Sequence, residues 1–160
     1  MVSLLTYTLV AGIAYAGFGC GILLAHLAKE EMQPGKPYLE LLGKILLLVL
    51  IAVMMNSMGI IWWQRIVIYG LTIAYLTFRT PTQQQVSAVL GVIFFLANTD
   101  ELLFTQVSSL IFLYGLPAGS LSMTHHLKKV HTTPIHIRLQ NSLFLLIAFS
   151  LAFISFVLKS

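Results

Sequence analysis

Histidine is the most chemically suggestive residue in this chain: His125, His126, His131 and His136 lie close together, with Lys128 and Lys129 among them. Imidazoles so clustered can hold a divalent metal or move protons near neutral pH. The spacing argues against a preformed cage, because His126, His131 and His136 recur every five residues rather than at i and i+4. Pro134 interrupts any helix there, and the two lysines repel a cation. The segment 124–137 therefore reads first as a basic strip on anionic lipid head groups, made pH-sensitive by its histidines. A metal or catalytic site is the alternative. Acidic partners for it come from a second polar segment, 29–38, which contains Glu30 and Glu31; His26 stands one turn before Glu30. His26, Glu30, Glu31, His125, His126 and His131 are thus the weak metal candidates, with no cofactor specified. The bland reading of 29–38 is a solvated elbow that turns at Pro34-Gly35.

Other polar residues interrupt long apolar runs. Asn56 sits in Met54-Met55-Asn56-Ser57-Met58-Gly59, near the centre of an apolar block, where an amide must find a partner. An interhelical hydrogen bond satisfies it, and so does a solute path lined by Asn56 and Ser57. The methionines around it suit adaptable packing better than soft-metal binding. Asn98-Thr99-Asp100-Glu101 is a helix-start sequence, with Asn98 or Thr99 as cap and the acids against the positive helix end. Its functional alternative is an acidic mouth for cations or protons. Gln106 follows on the same helix, and Pro117 removes a backbone donor further along, predicting a kink whose freed carbonyl serves packing or a ligand. Asn56, Ser57, Asp100, Glu101, Gln106 and Pro117 are the candidate path residues. Ala14, Gly17, Gly21, Ala25 and Ala28 recur every three or four residues and form a smooth helix face for close packing, within the chain or against another subunit.

The elements that position these residues are set by composition. Of 160 residues, 58% are hydrophobic and 9% charged, and mean hydropathy is +0.92. A water-facing surface needs about 25% charged residues, so this surface must face lipid. Apolar blocks cover 3–28, 44–63, 66–78, 86–97, 102–123 and 139–158, and a crossing takes roughly 20 residues. The expectation is an all-α polytopic transmembrane helical bundle, a single integral membrane domain over 1–160, with about six spans. The third and fourth are short, so a re-entrant hairpin is the alternative to two full crossings. An A-x-A pattern at Ala14-Tyr15-Ala16 lacks a basic segment before it, and the first block reads as a retained helix.

Basic residues set orientation. Lys29, Lys36, Lys44, Arg79, Lys128, Lys129 and Arg138 fall on one side, and Arg65 and Lys159 on the other, which places both termini on the non-cytoplasmic side. Trp62 and Trp63 would then mark the outer boundary, Tyr38 and Tyr75 the inner. The net charge of +4 serves this orientation and implies no nucleic-acid partner. Cys20 is the lone cysteine, excluding an internal disulfide or a CxxC pair. No nucleotide-binding loop, HExxH or GxSxG motif is present, so common enzyme chemistries are not signalled.

A multi-pass integral membrane protein, of the cell membrane in a prokaryote, leaves three functional classes. The first is a transporter- or channel-like protein for a small solute or ion, which a three-plus-three helix arrangement would suit. The second is a non-catalytic accessory or scaffolding subunit of a larger membrane complex, as a homo-oligomer or with a partner membrane subunit. The third is a membrane-embedded lipid-modifying enzyme using the cytoplasmic loops.

Overall fold

The computed structural model describes residues 3–28, 30–79, 82–127 and 143–153; the side chains of Gln33 and of 124–127 are outside the description. Those residues form six helices and no strand: α1 (Leu4–Leu27), α2 (Met32–Ser57), α3 (Trp62–Phe78), α4 (Gln83–Ala97), α5 (Glu101–Leu127) and α6 (Leu143–Phe153). The described residues are all-α, as expected from the sequence. Three segments are long and apolar enough to cross a membrane: Leu4–Leu27, Pro34–Ser57 and Glu101–Met123.

α1 starts where the Ser3 hydroxyl accepts the Thr6 N–H at 3.2 Å, and no proline interrupts it. Tyr7, Ala11, Ala14, Gly17, Gly21 and Ala25 are buried, at the spacing of one helix face. The opposite face carries Leu5, Leu9, Ile13 and Leu23, each at least 60% exposed, which in a membrane is the lipid-facing side. The buried face lies along α5. Gly17 abuts Phe112 and Gly115, Gly21 abuts Leu116 and Gly119, and Tyr7 packs on Phe104. Residue numbers rise together along this contact, so α1 and α5 run parallel. Chain direction must then reverse an even number of times between them, which the connections through α2, α3 and α4 allow.

Two boundaries differ from the apolar blocks. α2 begins at Met32, twelve residues before the second block, and Pro34-Gly35 is its first turn rather than an elbow. Proline is tolerated there because first-turn N–H groups have no helical acceptor, and Gly35 N–H already bonds the Glu31 carbonyl at 3.0 Å. The Lys36–Glu40 pair, 3.6 Å apart at i and i+4, belongs to the same helical start. At its other end α2 stops at Ser57, because Gly59 takes a φ of 65° that other residues avoid. Trp62 and Trp63 therefore open α3 instead of closing α2.

The short third and fourth helices do not close into a packed hairpin. α3 leans lightly on α2 and buries Leu76 alone, whereas α4 packs on α5. A capping box starts α4: Gln85 N–H donates to Thr82 Oγ1 at 3.4 Å, and Thr82 N–H to Gln85 Oε1 at 3.1 Å. At the end of the bundle where α1 and α5 begin, Phe94 is fully enclosed, 5.0 Å from both Tyr7 and Phe104 and 5.7 Å from Phe144, by ring centroids. The Tyr7 hydroxyl donates to the Ala148 carbonyl at 3.0 Å, tying α6 to α1. Tyr7→Phe keeps the ring contacts and loses only that bond. An expected loss of about 0.5–1.5 kcal/mol in reversible detergent unfolding checks it.

Candidate functional site

None of the path candidates read from the sequence lines the cleft described below. Asn56 and Ser57 occupy the last turn of α2, not its middle, and both are exposed. The Asn56 side-chain oxygen is met by an interhelical hydrogen bond: Arg65 Nη1 of α3 donates to its Oδ1 at 3.1 Å, while Arg65 Nε donates to the Ile60 carbonyl at 2.6 Å. A cation beside the last carbonyls of α2 also complements the negative helix end. Ser57 returns its hydroxyl to the Met54 carbonyl at 2.8 Å.

At the start of α5 the cap is Asp100 rather than Asn98 or Thr99: its Oδ1 accepts the Leu102 N–H at 3.1 Å. Thr99 instead bonds back to the Leu96 carbonyl at 3.2 Å. Glu101 and Gln106 are exposed. Pro117 is fully buried, and α5 is assigned as one helix through it to Leu127. Gly115 and Gly119, on either side of it, pack against α1. Ser120 reinforces the contact by donating to the Gly21 carbonyl at 2.9 Å.

Of the metal candidates, His26, Glu30 and Glu31 are exposed, and no group of three metal-binding side chains occurs among the described residues. The side chains of His125 and His126, and His131 and His136 altogether, lie outside the described residues.

The residues that the fold does bring together are not among those candidates. α1, α4, α5 and α6 enclose a half-open cleft of about 30 Å³, whose polar side chains are Tyr15, Gln83, Ser87 and Tyr114. Ala14, Gly115 and Ala118 contribute small side chains, and Phe18 and Phe144 aromatic edges. Every lining residue is uncharged. Tyr15 and Tyr114 lie near the midpoints of α1 and α5, whereas Gln83 is the first residue of α4. The short α4 thus flanks only the half of α1 and α5 that runs from their N-termini to their midpoints. Its polar start opens into the bundle beside the two tyrosines.

Ser87 is 5% exposed. It packs on the buried side of α4 with Val86, Leu90, Gly91, Phe94 and Ala97. One signal for this site is present in the sequence: tyrosine favours the membrane interface, so a mid-helix tyrosine in each of two apolar helices is out of its usual place. Chemically, the cleft offers hydroxyls and an amide, which donate and accept hydrogen bonds without discriminating by charge. No family model, curated protein or solved structure matches this chain.

Proposed function

We propose that this is a multi-pass membrane protein of the transporter- or channel-like class, and that the cleft between α1, α4, α5 and α6 is one half of its path for a small solute. The observation that carries this reading is the convergence of Tyr15, Gln83, Ser87 and Tyr114 from three helices at mid-bundle depth. In lipid such groups are costly unless they meet one another, water or a solute. In this reading α1, α2 and α5 cross the bilayer, α3, α4 and α6 make up the remaining spans, and both termini lie outside. The cleft then opens toward the cytoplasmic side. Among the path candidates read from the sequence, Pro117 lies nearest the cleft, between its lining residues Gly115 and Ala118, while Asp100, Glu101 and Gln106 belong to the outer part of α5.

Purified protein in proteoliposomes tests this by stopped-flow light scattering after an osmotic step, with water, glycerol and urea as neutral solutes and potassium as the charged one. Flux of at least one solute above empty liposomes is expected. Ser87→Leu, which fills the cleft, is expected to lower it tenfold or more while the protein still elutes as one species. Absence of flux for all four solutes would count against the reading.

A second reading, an accessory subunit of a larger membrane complex, is favoured by α3. Ile66, Leu71, Ile73 and Phe78 are all more than half exposed along a helix that buries one residue. A stoichiometric partner in a native pull-down, together with no flux, would favour it.

A further inference from the structure

We propose that the cleft is a hydrated binding site for a neutral, water-sized hydrogen-bonding molecule, entered past the N-terminus of α4 and closed at its far end by the aromatic cluster of Tyr7, Phe94, Phe104 and Phe144. This deepens the transport reading and rests on it for the side from which the cleft is entered.

Size sets the first condition. The cleft leaves about 30 Å³ in which the centre of a water molecule can lie, room for at least one water, and a bound water needs two to four polar partners. The lining supplies them. The hydroxyls of Tyr15, Ser87 and Tyr114 all border the cleft, and none is sealed away from it as a buried oxygen without a partner. Leaving a hydroxyl unpaired in an apolar medium costs on the order of 2–7 kcal/mol, so a polar molecule in the cleft is favoured beside them.

Charge sets the second condition. The lining carries no ionised group to stabilise an ion stripped of its hydration shell. At the start of α4 the Thr82–Gln85 capping box uses two of the N–H groups that a helix start leaves open.

Depth explains the route. Gln83 lies level with Tyr114 and Ala118, which follow Glu101 by thirteen and seventeen residues. At about 1.5 Å per residue that is roughly 20–26 Å from the start of α5. In a hydrocarbon core about 30 Å thick, Thr82 and Gln83 to Gln85 therefore stand inside the boundary, and water must follow them in. Beyond the cleft, toward the other end, Phe94 and Val107 are fully enclosed.

Silver ion, close to water in size, tests this by reacting with cysteine thiolates, which form only where water reaches. Single cysteines replace Ser87, Gln84 and Val107 in a Cys20→Ala background. Each is exposed to silver from either face of sealed membrane vesicles, and unreacted thiols are then counted by maleimide labelling in SDS. Gln84→Cys marks the exposed start of α4. Ser87→Cys is expected to be blocked from the same face as Gln84→Cys, within about tenfold of its rate, and Val107→Cys to be spared from both faces. Resistance of Ser87→Cys while Gln84→Cys reacts would overturn the hydrated cleft, and so would equal blocking of Val107→Cys. Blocking of Ser87→Cys and Gln84→Cys from the non-cytoplasmic face would keep the site and overturn the orientation. Blocking in a protein that passes no solute would keep the site and overturn the transport reading alone.

Discussion

Gly21→Ala is expected to destabilise the protein by about 3 kcal/mol or more, above the 1–3 kcal/mol usual for overpacking. The reason is what the added methyl meets. A Cβ at Gly21 would stand 2.9 Å from the Gly115 carbonyl oxygen and 3.0 Å from the Leu116 carbonyl carbon, with the Leu116 oxygen nearer still. These are backbone atoms of a packed helix and cannot swing aside as a side chain would. Gly115→Ala should behave alike, because its Cβ would meet Phe18 N at 2.5 Å and Gly17 C at 2.7 Å. Gly12 and Gly19 on the same helix as Gly21 are the control, with nothing within 4 Å of either added methyl. Alanine there is expected to be neutral or to stabilise by up to about 1 kcal/mol through helix propensity. Reversible unfolding in mixed micelles distinguishes the pairs. Similar values for Gly21→Ala and Gly12→Ala would show that α1 and α5 do not touch this closely.

Phe94→Ala is the second large effect, at about 3–5 kcal/mol. Phe94 is fully enclosed and its ring meets α1, α5 and α6 together, through Tyr7, Phe104 and Phe144. Removing it leaves a void that neighbouring rings on three separate helices cannot jointly fill. Phe94→Leu keeps most of the volume and is expected to cost less than half as much. The same measurement checks both, and a loss below about 1 kcal/mol for Phe94→Ala would mean that the cluster does not hold the helices together. In the transport reading Phe94→Ala also thins the closure beyond the cleft, so flux per folded molecule should rise.

How much of this is legible in the residues depends on whether a feature lies within one helix. The small-residue face from Ala14 to Ala28 is visible as a spacing, and α1 places Gly17 and Gly21 against α5, while Ala28 caps the end of the helix. Its counterpart, Gly115 and Gly119, has the same spacing but stands around Pro117, which points to a kink instead. Asn56 is misplaced by its block boundary. Starting the second helix at Lys44 leaves out 32–43, whose charges and prolines resemble a loop, and so moves the helix centre toward the asparagine. The helix tolerates Pro34 because the first turn needs no acceptor for it, and Lys36 pairs with Glu40 on its surface, while Pro37 lies within the helix beyond that turn. The cleft is only faintly legible, for a different reason. Tyr15 and Tyr114 stand out as mid-helix tyrosines and Ser87 does not stand out at all, and only the parallel pairing of α1 with α5, with a short α4 beside them, gives the three a common location.

The parallel seam also constrains how the chain is made. Gly21 and Ser120, joined by a hydrogen bond, are 99 residues apart. At roughly 5–20 residues per second, α1 leaves the ribosome about 5 to 20 s before the helix that covers its glycines. During that interval the glycine face of α1 has no α5 to cover it, so this close helix contact forms only late in synthesis.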